Sequence, residues 1–339
     1  MASDGSRVDI IPLDAIDQVA GWDDTIRAAG CPVFYTTQFL RSVATTPLLE
    51  SQSASLLVLD DAVGFAGVPV FQQNRVDVIR LLLPLRDKFP DLAERSGLLS
   101  HCWHCYDSRI VSARGGDRLH RLVEGLRRHA QALHTDYFGF VNVSDPLTLD
   151  IMEQAGIAPH YMTDRHIMGI GNYRAFEDYV AALQPDARRE LRRQYKHYAA
   201  SPAELAIEQP PFDNLDEVAR LCRNTAARYD AEFYYPDGPL QFLLANLGAT
   251  RLISIRIGGE RIGVLICFFD PPRFHIWAAG MRYDRSRFSP YAVAMAEAIK
   301  YAIASRLTVI EGGRGNARIK KKQGFVPLKL YACLQRAVA

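Results

Sequence analysis

A strand–turn–strand punctuation that occurs twice constrains this chain more than any other feature. Residues 55–71 read SLLVLDDAVGFAGVPVF and residues 251–269 read RLISIRIGGERIGVLICFF. Each is an apolar run, a tight turn, and a second run in which a glycine (Gly67, Gly263) is followed by valine. Gly258-Gly259 is a strong two-residue hairpin signal, because both central residues of the favoured turn take positive φ. Asp60-Asp61-Ala62 marks the turn of the first hairpin. In both halves a helix and a further strand follow, which predicts a duplicated unit. Strands first and helices afterwards suit a mixed sheet flanked by helices, an α/β protein with two domains. The 339 residues exceed what one small core accommodates and point the same way.

The first half opens with helix patterns at 15–29 and 37–44, and after its hairpin Val76–Leu83 reads as a further strand. Arg118–Leu133 is amphipathic, with Leu119, Leu122, Val123 and Leu126 on one face; strand Tyr137–Val143 and helix Leu147–Gln154 follow. In the second half Phe274–Ala279 is a strand and Pro290–Ser305 a helix with Ser289 as cap and Pro290 in its first position. Thr308–Ile310, a short basic helix at Asn316–Gln323 and a last strand at Leu328–Arg336 complete the chain.

Net charge is +2, so a nucleic-acid partner requires a local basic patch. No apolar run reaches the roughly 20 residues that cross a bilayer, and the acidic N-terminal stretch does not read as a signal peptide. These features lead us to expect a soluble, cytoplasmic protein that does not engage membranes. Six cysteines in a chain of this length do not form a disulfide framework. The cluster His101-Cys102-Trp103-His104-Cys105 has no second cysteine pair to complete a four-ligand site, so no metal is expected.

Between the halves, Phe176–Ala199 is helical with a break near Pro185. Its second part places Arg188, Arg189, Arg192, Arg193 and Lys196 over little more than two turns. Arginine forks suit phosphate or carboxylate; a solvated helix face is the competing reading.

The stretch FEDYVAALQPDARRELRRQYKHY resembles the linker helix of Fem-like GNAT proteins. HIWAAGMRYDRSRFSPYAVAMAEAIKYAIASRLTVIEGGRGNARIKKKQGFVPLKL is similar to that family's C-terminal half, and PVFYTTQFLRSV to its opening helix. The middle of the first domain, about Val78–Gly116, resembles nothing specific. The resemblance implies two tandem GNAT-like domains around a shared cleft: residues 1–160, a linker with the basic helix at 161–200, and residues 201–339. It further implies acyl transfer to an amine. The best-known branch of the family takes aminoacyl groups from charged tRNA, for cell-wall cross-bridges or for natural products. The long coiled-coil arm of the cell-wall enzymes is absent from 212–247, which turns the expectation toward a small metabolite or biosynthetic intermediate as acceptor. The donor loop departs from ordinary GNAT enzymes as well. Acyl-CoA pyrophosphate is held by a glycine-rich turn at a helix N-terminus, whereas GMRYDRSRFSP has no glycine after Gly280 and carries Arg282, Arg285 and Arg287 instead. We therefore expect aminoacyl-tRNA as co-substrate with no cofactor. Acyl-CoA as donor and a non-catalytic binding module remain the alternatives.

Lys320, four residues before Gly324-Phe325, matches the family's lysine; the resemblance gives it the donor's terminal phosphates or the developing oxyanion. Glu311, closing a strand before Gly312-Gly313, stands where open α/β sheets gather their chemistry and either orients the amine, acts as base, or pairs with the lysines that follow. Tyr283, Asp284 and Tyr291 frame the opening of the helix and are candidate acceptor-pocket residues. Trp277 shares a strand face with His275 and either stacks on adenine or packs in the core. Tyr234, in the aromatic segment Arg228–Gly238, belongs to a candidate acceptor loop. Arg189, Arg192, Arg193, Lys196, Arg285, Arg314 and Lys321 are the candidate phosphate contacts.

Overall fold

A computed structural model describes residues 7–337. The chain forms two compact units, 7–164 with 329–337 and 165–328. In chain order the first half supplies β1 (Asp9–Pro12), α1 (Trp22–Ala28), α2 (Thr37–Thr45), β2 (Ser53–Asp61), β3 (Gly64–Gln73), β4 (Gly97–Ser100), β5 (Val111–Ser112), α3 (His120–Ala132), β6 (Tyr137–Val143), α4 (Pro146–Gln154) and β7 (Pro159–Gly169). The remainder supplies α5 (Phe176–Ala182), α6 (Pro185–Ala199), β8 (Ala203–Glu208), α7 (Leu215–Ala226), α8 (Pro239–Asn246), β9 (Thr250–Ile257), β10 (Glu260–Asp270), β11 (Arg273–Met281), α9 (Pro290–Ala304), β12 (Val309–Gly313), α10 (Ala317–Lys322) and β13 (Val326–Arg336).

Both sequence hairpins are present. β2 pairs antiparallel with β3 and β9 with β10. Gly258 and Gly259 take φ of 58° and 81°, as a primed turn requires. In the first hairpin the Asp61 carboxylate accepts from the Val63 amide at 3.0 Å and closes the turn with a side chain. The two echoed glycines have a shared physical cause. A Cβ on Gly67 would stand 2.8 Å from the Trp22 ring, and one on Gly263 would stand 3.0 Å from Pro290 and 3.2 Å from the Met281 sulfur. At each, a neighbouring side chain presses onto the sheet.

The units repeat one plan. In the first, β4 runs parallel to β6 with α3 in the crossover, and β13 lies antiparallel on β6. In the second, β11 runs parallel to β12 with α9 in the crossover, and β7 lies antiparallel on β12. The closing strand of each unit therefore comes from the other half of the sequence. α9 is apolar nearly all round and sits in the middle of its unit's core, where Val293, Ile299 and Ala302 are fully buried. Each such valine or isoleucine contributes about 1.5–3 kcal/mol of burial.

Four expectations change. The boundary expected at 160 falls at 164, α5 and α6 pack in the second unit's core instead of standing as a linker over 161–200, and 329–337 return to the first unit. The reason for the last is strand pairing, Leu334 facing Gly139 and Arg336 facing Tyr137. Val76–Leu83 is not a strand: its register is broken by turns and by Arg80 at φ 56°, with a short 3-10 segment at Leu83–Leu85. Among the described residues, no helix is long and apolar enough to cross a membrane.

Candidate active site

The parallel pair β11–β12 holds together for only three residue pairs, ending at His275 opposite Glu311. Beyond that point the strands separate, and Ile276–Ala279 on one side and Gly312 on the other line a cavity of about 260 Å³. Divergence of a parallel pair exposes the carboxyl ends of both strands, the position at which open α/β sheets place ligands. Its walls are aromatic: Tyr229, Tyr234, Tyr235, Trp277 and Tyr291, with Arg314, Asn316 and Lys320 as the polar groups.

Lys320 projects from α10 back under the end of β12 and is only 3% exposed. Its Nζ donates to the carbonyl oxygens of Gly313 at 3.2 Å and Arg314 at 2.9 Å. Burial, with the Arg314 guanidinium beside it, pulls the amine down from 10.5 to about 7. A neutral amine has two N–H groups and one lone pair. Both N–H groups are committed to carbonyls, so the lone pair is what Lys320 offers to a substrate. Arg314 is oriented by Tyr234, whose hydroxyl accepts from the guanidinium at 2.9 Å. Burial pushes the Tyr291 phenol up to about 12, so it stays protonated and can donate.

A second cavity of about 710 Å³ opens on the other side of α10. Arg318, Ile319, Lys321 and Lys322 of α10, Ser289 and Ala292 of α9, and Gln184, Glu190 and Gln194 line it with apolar residues of α5 and α6. Tyr291 lines both cavities. A helix of six residues thus partitions them, Lys320 facing one and its neighbours facing the other.

Among the sequence candidates, Trp277, Tyr234, Tyr291, Arg314 and Lys320 converge on the first cavity, and Lys321 lies on the second. Others stand apart. Glu311 is buried in register with His275, its carboxylate 3.9 Å from Arg165 Nε, and it lines neither cavity; it faces an arginine of the neighbouring strand β7 instead of the lysines that follow it. Asp284 pairs with Arg282 at 3.3 Å, Arg285 reaches Glu260 at 3.3 Å, and Tyr283 lies under the Arg228 guanidinium. The loop arginines are thus partly neutralised by their own acids. On α6, Arg189 pairs with Asp186 and Arg193 with Glu190, whose carboxyl Arg193 and Gln194 hold down at about 2. Arg192 and Lys196 are exposed. The part of α6 that lines the second cavity supplies Asp186, Glu190 and Gln194 beside Ala187 and Leu191, and none of the four candidate cations. Tyr229 and Tyr235, inside the candidate acceptor segment Arg228–Gly238, and Arg318 and Lys322, inside the short basic helix, also line the cavities, although the sequence did not single them out. For the last two, the short basic helix was itself the signal.

The amides at the start of α9 are also occupied. Gln194 Oε1 accepts from the Ser289 N–H at 2.6 Å, and the Ser289 hydroxyl accepts from the Ala292 N–H at 3.2 Å. In the first unit the corresponding opening is filled. After β4, the segment containing His101–Cys105 folds against β6, with the Asn142 side chain donating to the Cys105 carbonyl and the Ser108 amide to the Asn142 carbonyl, both at 3.0 Å. Trp103 is buried there, and burial lowers His101 to about 3, so its ring is neutral. No group of His, Cys, Asp or Glu among the described residues is arranged to hold a metal.

A mixed sheet with a splayed parallel pair and the crossover helix between its strands defines a GNAT acyltransferase fold, present here in tandem. Residues 185–321 match the family described as the acetyltransferase (GNAT) domain. The whole chain is similar to FemX, with TM-score 0.64 and 10% identity over 93% of this chain and 95% of that one. It is similar to L-PGS from Bacillus licheniformis, with TM-score 0.57 and 10% identity over 95% and 92%. It is also similar to a tandem GNAT protein from the clavulanic acid biosynthesis pathway, with TM-score 0.57 and 10% identity over 98% and 99%. None of the curated proteins matches the chain. The chain thus carries a match to the GNAT acetyltransferase domain over 185–321 and shares the tandem GNAT fold of these structures along its whole length.

Proposed function

We propose that the protein transfers an aminoacyl group from aminoacyl-tRNA to the amine of a small metabolite or biosynthetic intermediate, forming an amide bond without a cofactor. The observation that carries this reading is the partition of two cavities by α10. The larger, with Arg318, Lys321 and Lys322 along one wall, has the size and charge for the donor's terminal nucleotide. The smaller takes the acceptor, and Tyr291 marks the junction where the ester carbonyl is placed.

The acceptor amine attacks that carbonyl; the C–N bond forms and the bond from the carbonyl carbon to the ribose oxygen breaks. Lys320, neutral at its Nζ, takes the amine proton and returns it to the departing ribose oxygen. The protonated Tyr291 phenol donates to the developing oxyanion. Glu311 of β12 and Arg165 of the neighbouring β7 act as positioning residues for the strand end.

Acyl-CoA is the rival donor, and the engaged amides at the start of α9 argue against it. The Ser289 and Ala292 N–H groups, which would cradle a pyrophosphate, already have protein acceptors. Purified protein is incubated with a radiolabelled aminoacyl-tRNA mixture and candidate amines, with and without ribonuclease. Ribonuclease-sensitive amide product is expected. Undiminished product from acyl-CoA after ribonuclease treatment would reject the tRNA donor.

A further inference from the structure

We propose that the nucleotide bound in the larger cavity carries adenine, its exocyclic amine read by Glu190 of α6. This rests on the nucleotide reading of that cavity and adds the base and the residue that selects it.

Three observations carry it. The charged lining is divided by sign: α10 contributes the cations Arg318, Lys321 and Lys322, and α6 contributes the acids Asp186 and Glu190. A phosphate belongs with the first set and a hydrogen-bond donor with the second. The lining also includes Leu183, Leu191 and Ile319, the last 45% exposed, an apolar surface that a flat ring covers. A ligand with an anionic end, a flat body and an N–H edge meets all three demands, and an adenine nucleotide is such a ligand.

Glu190 is a fixed acceptor with capacity left. Arg193 donates to Oε2 at 2.9 Å and to Oε1 at 2.7 Å, and Gln194 donates to Oε1 at 2.6 Å. A carboxylate has about four lone-pair sites, so one remains on Oε2. The same donors, Arg193 first, hold the carboxyl at about 2, so the group accepts and cannot donate. Such a group favours an amino substituent on a ring and repels an oxo substituent at the same place. Gln323 supplies a second acceptor on the lining: its Oε1 is buried with no hydrogen-bond partner among the described residues. Its backbone is already fixed, the amide donating to the Lys320 carbonyl at 2.9 Å and the carbonyl accepting from the Tyr179 hydroxyl at 3.1 Å. A ligand N–H arriving there removes the cost of a buried acceptor left unpaired.

Calorimetric titration of the full chain with AMP, IMP and adenosine tests this without donor or acceptor. AMP and IMP differ at the purine C6 substituent, amino in one and oxo in the other. The Glu190 side chain is 53% exposed, so water competes, and AMP should bind about fivefold more tightly than IMP. Adenosine, which lacks the phosphate, should bind more weakly than AMP. Glu190→Gln, with its thermal midpoint checked against wild type, should bring the AMP-to-IMP ratio close to one, because its amide can donate to the oxo group. Lys321→Ala should weaken both nucleotides alike and keep the ratio, which separates reading the base from holding the phosphate. Should Glu190→Gln fail to fold, Gln323→Leu removes the second acceptor and should lower the ratio in the same sense. Equal binding of AMP and IMP by wild type, a ratio unchanged in the variant used, or no binding of either nucleotide would overturn the assignment. Transfer assays separate it from the donor reading. Ribonuclease-sensitive transfer by a protein that binds AMP and IMP equally sinks the base inference and leaves the transferase standing. Adenine-selective binding without transfer from any aminoacyl-tRNA supports the base inference and sinks the donor reading.

Discussion

At the scale of single residues, Lys320 concentrates the chemistry and carries a cost. Its amine falls from 10.5 to about 7 on folding, so between those values the unfolded chain binds a proton that the folded chain does not. Stability therefore rises with pH across that window, by up to about 1.4 kcal/mol per unit; the destabilisation is complete below pH 7 and gone above 10.5. Lys320→Met should remove this slope, so that its midpoint in urea exceeds the wild-type midpoint at pH 7 and the two converge toward pH 10. Parallel curves for the two proteins would mean that the amine is not perturbed. In the proposed transfer the same titration sets the rate. Below pH 7 Lys320 is protonated and cannot accept the acceptor's proton, so kcat/KM should fall tenfold per unit there. Lys320→Ala should cost about 10²–10⁴-fold at pH 8, the usual range for a positioned general base. A variant that keeps the acidic limb of the profile would place the base elsewhere. Trp277 sits opposite in kind, since in the proposed transfer it touches the acceptor without moving a proton; Trp277→Ala should raise the acceptor KM several-fold and leave the shape of the pH profile unchanged.

At the scale of elements, the site depends on where α9 starts and on which way α10 faces. Ser289 caps α9 through the Ala292 amide, and Gln194 of α6 fixes the Ser289 amide. Ser289→Ala should lower stability by about 1 kcal/mol, as loss of an N-cap side chain does, and thermal unfolding measures it. Gln194→Ala leaves the Ser289 amide without its acceptor and should cost as much or more; no change in midpoint would show that water replaces the contact. These caps explain what was legible in the chain. Ser-Pro before an apolar run identifies a helix start wherever it occurs, and Gly258-Gly259 identifies a hairpin, because both are local rules of backbone geometry. The converging residues Trp277, Tyr234, Tyr291, Arg314 and Lys320 were recognisable from a strand end, a helix start and a short basic helix that follow one another in the second half. What the sequence concealed was set by side-chain direction and pairing. Whether Arg285 meets a donor or Glu260, and whether Glu311 faces lysines or Arg165, is decided by partners distant in sequence. Val76–Leu83 has the composition of a strand and still turns: the Asp77 carboxylate accepts from the Leu82 amide at 3.1 Å and Arg80 takes φ 56°, which folds the segment back on itself.

At the scale of the whole molecule, the duplicated plan is closed by an exchange of strands. Neither half of the sequence completes its own sheet: β13 covers β6, and β7 covers β12. Cys333 and Leu334 of β13 are buried, and Cys333 and Ala337 belong to the first unit's core with Leu126 and Phe138. Removing residues 329–339 would strip β6 of its antiparallel partner and expose an apolar edge of the kind that pairs with other chains. The second unit keeps every strand from β8 to β12 and loses none of the residues that line the two cavities. Hydrogen exchange on the truncated chain should therefore show protection lost in β6 and α3 while β9–β11 retain it, together with concentration-dependent aggregation. Should the truncated chain fail to express, Cys333→Asp places a charge in the same core and should give the same regional pattern more weakly. Protection lost equally in both units would show that they unfold as one and that the division at residue 164 has no energetic meaning. Protection lost in neither would show that the pairing of β13 with β6 contributes little, and that the first unit is held by the contacts of α3 with its own sheet alone.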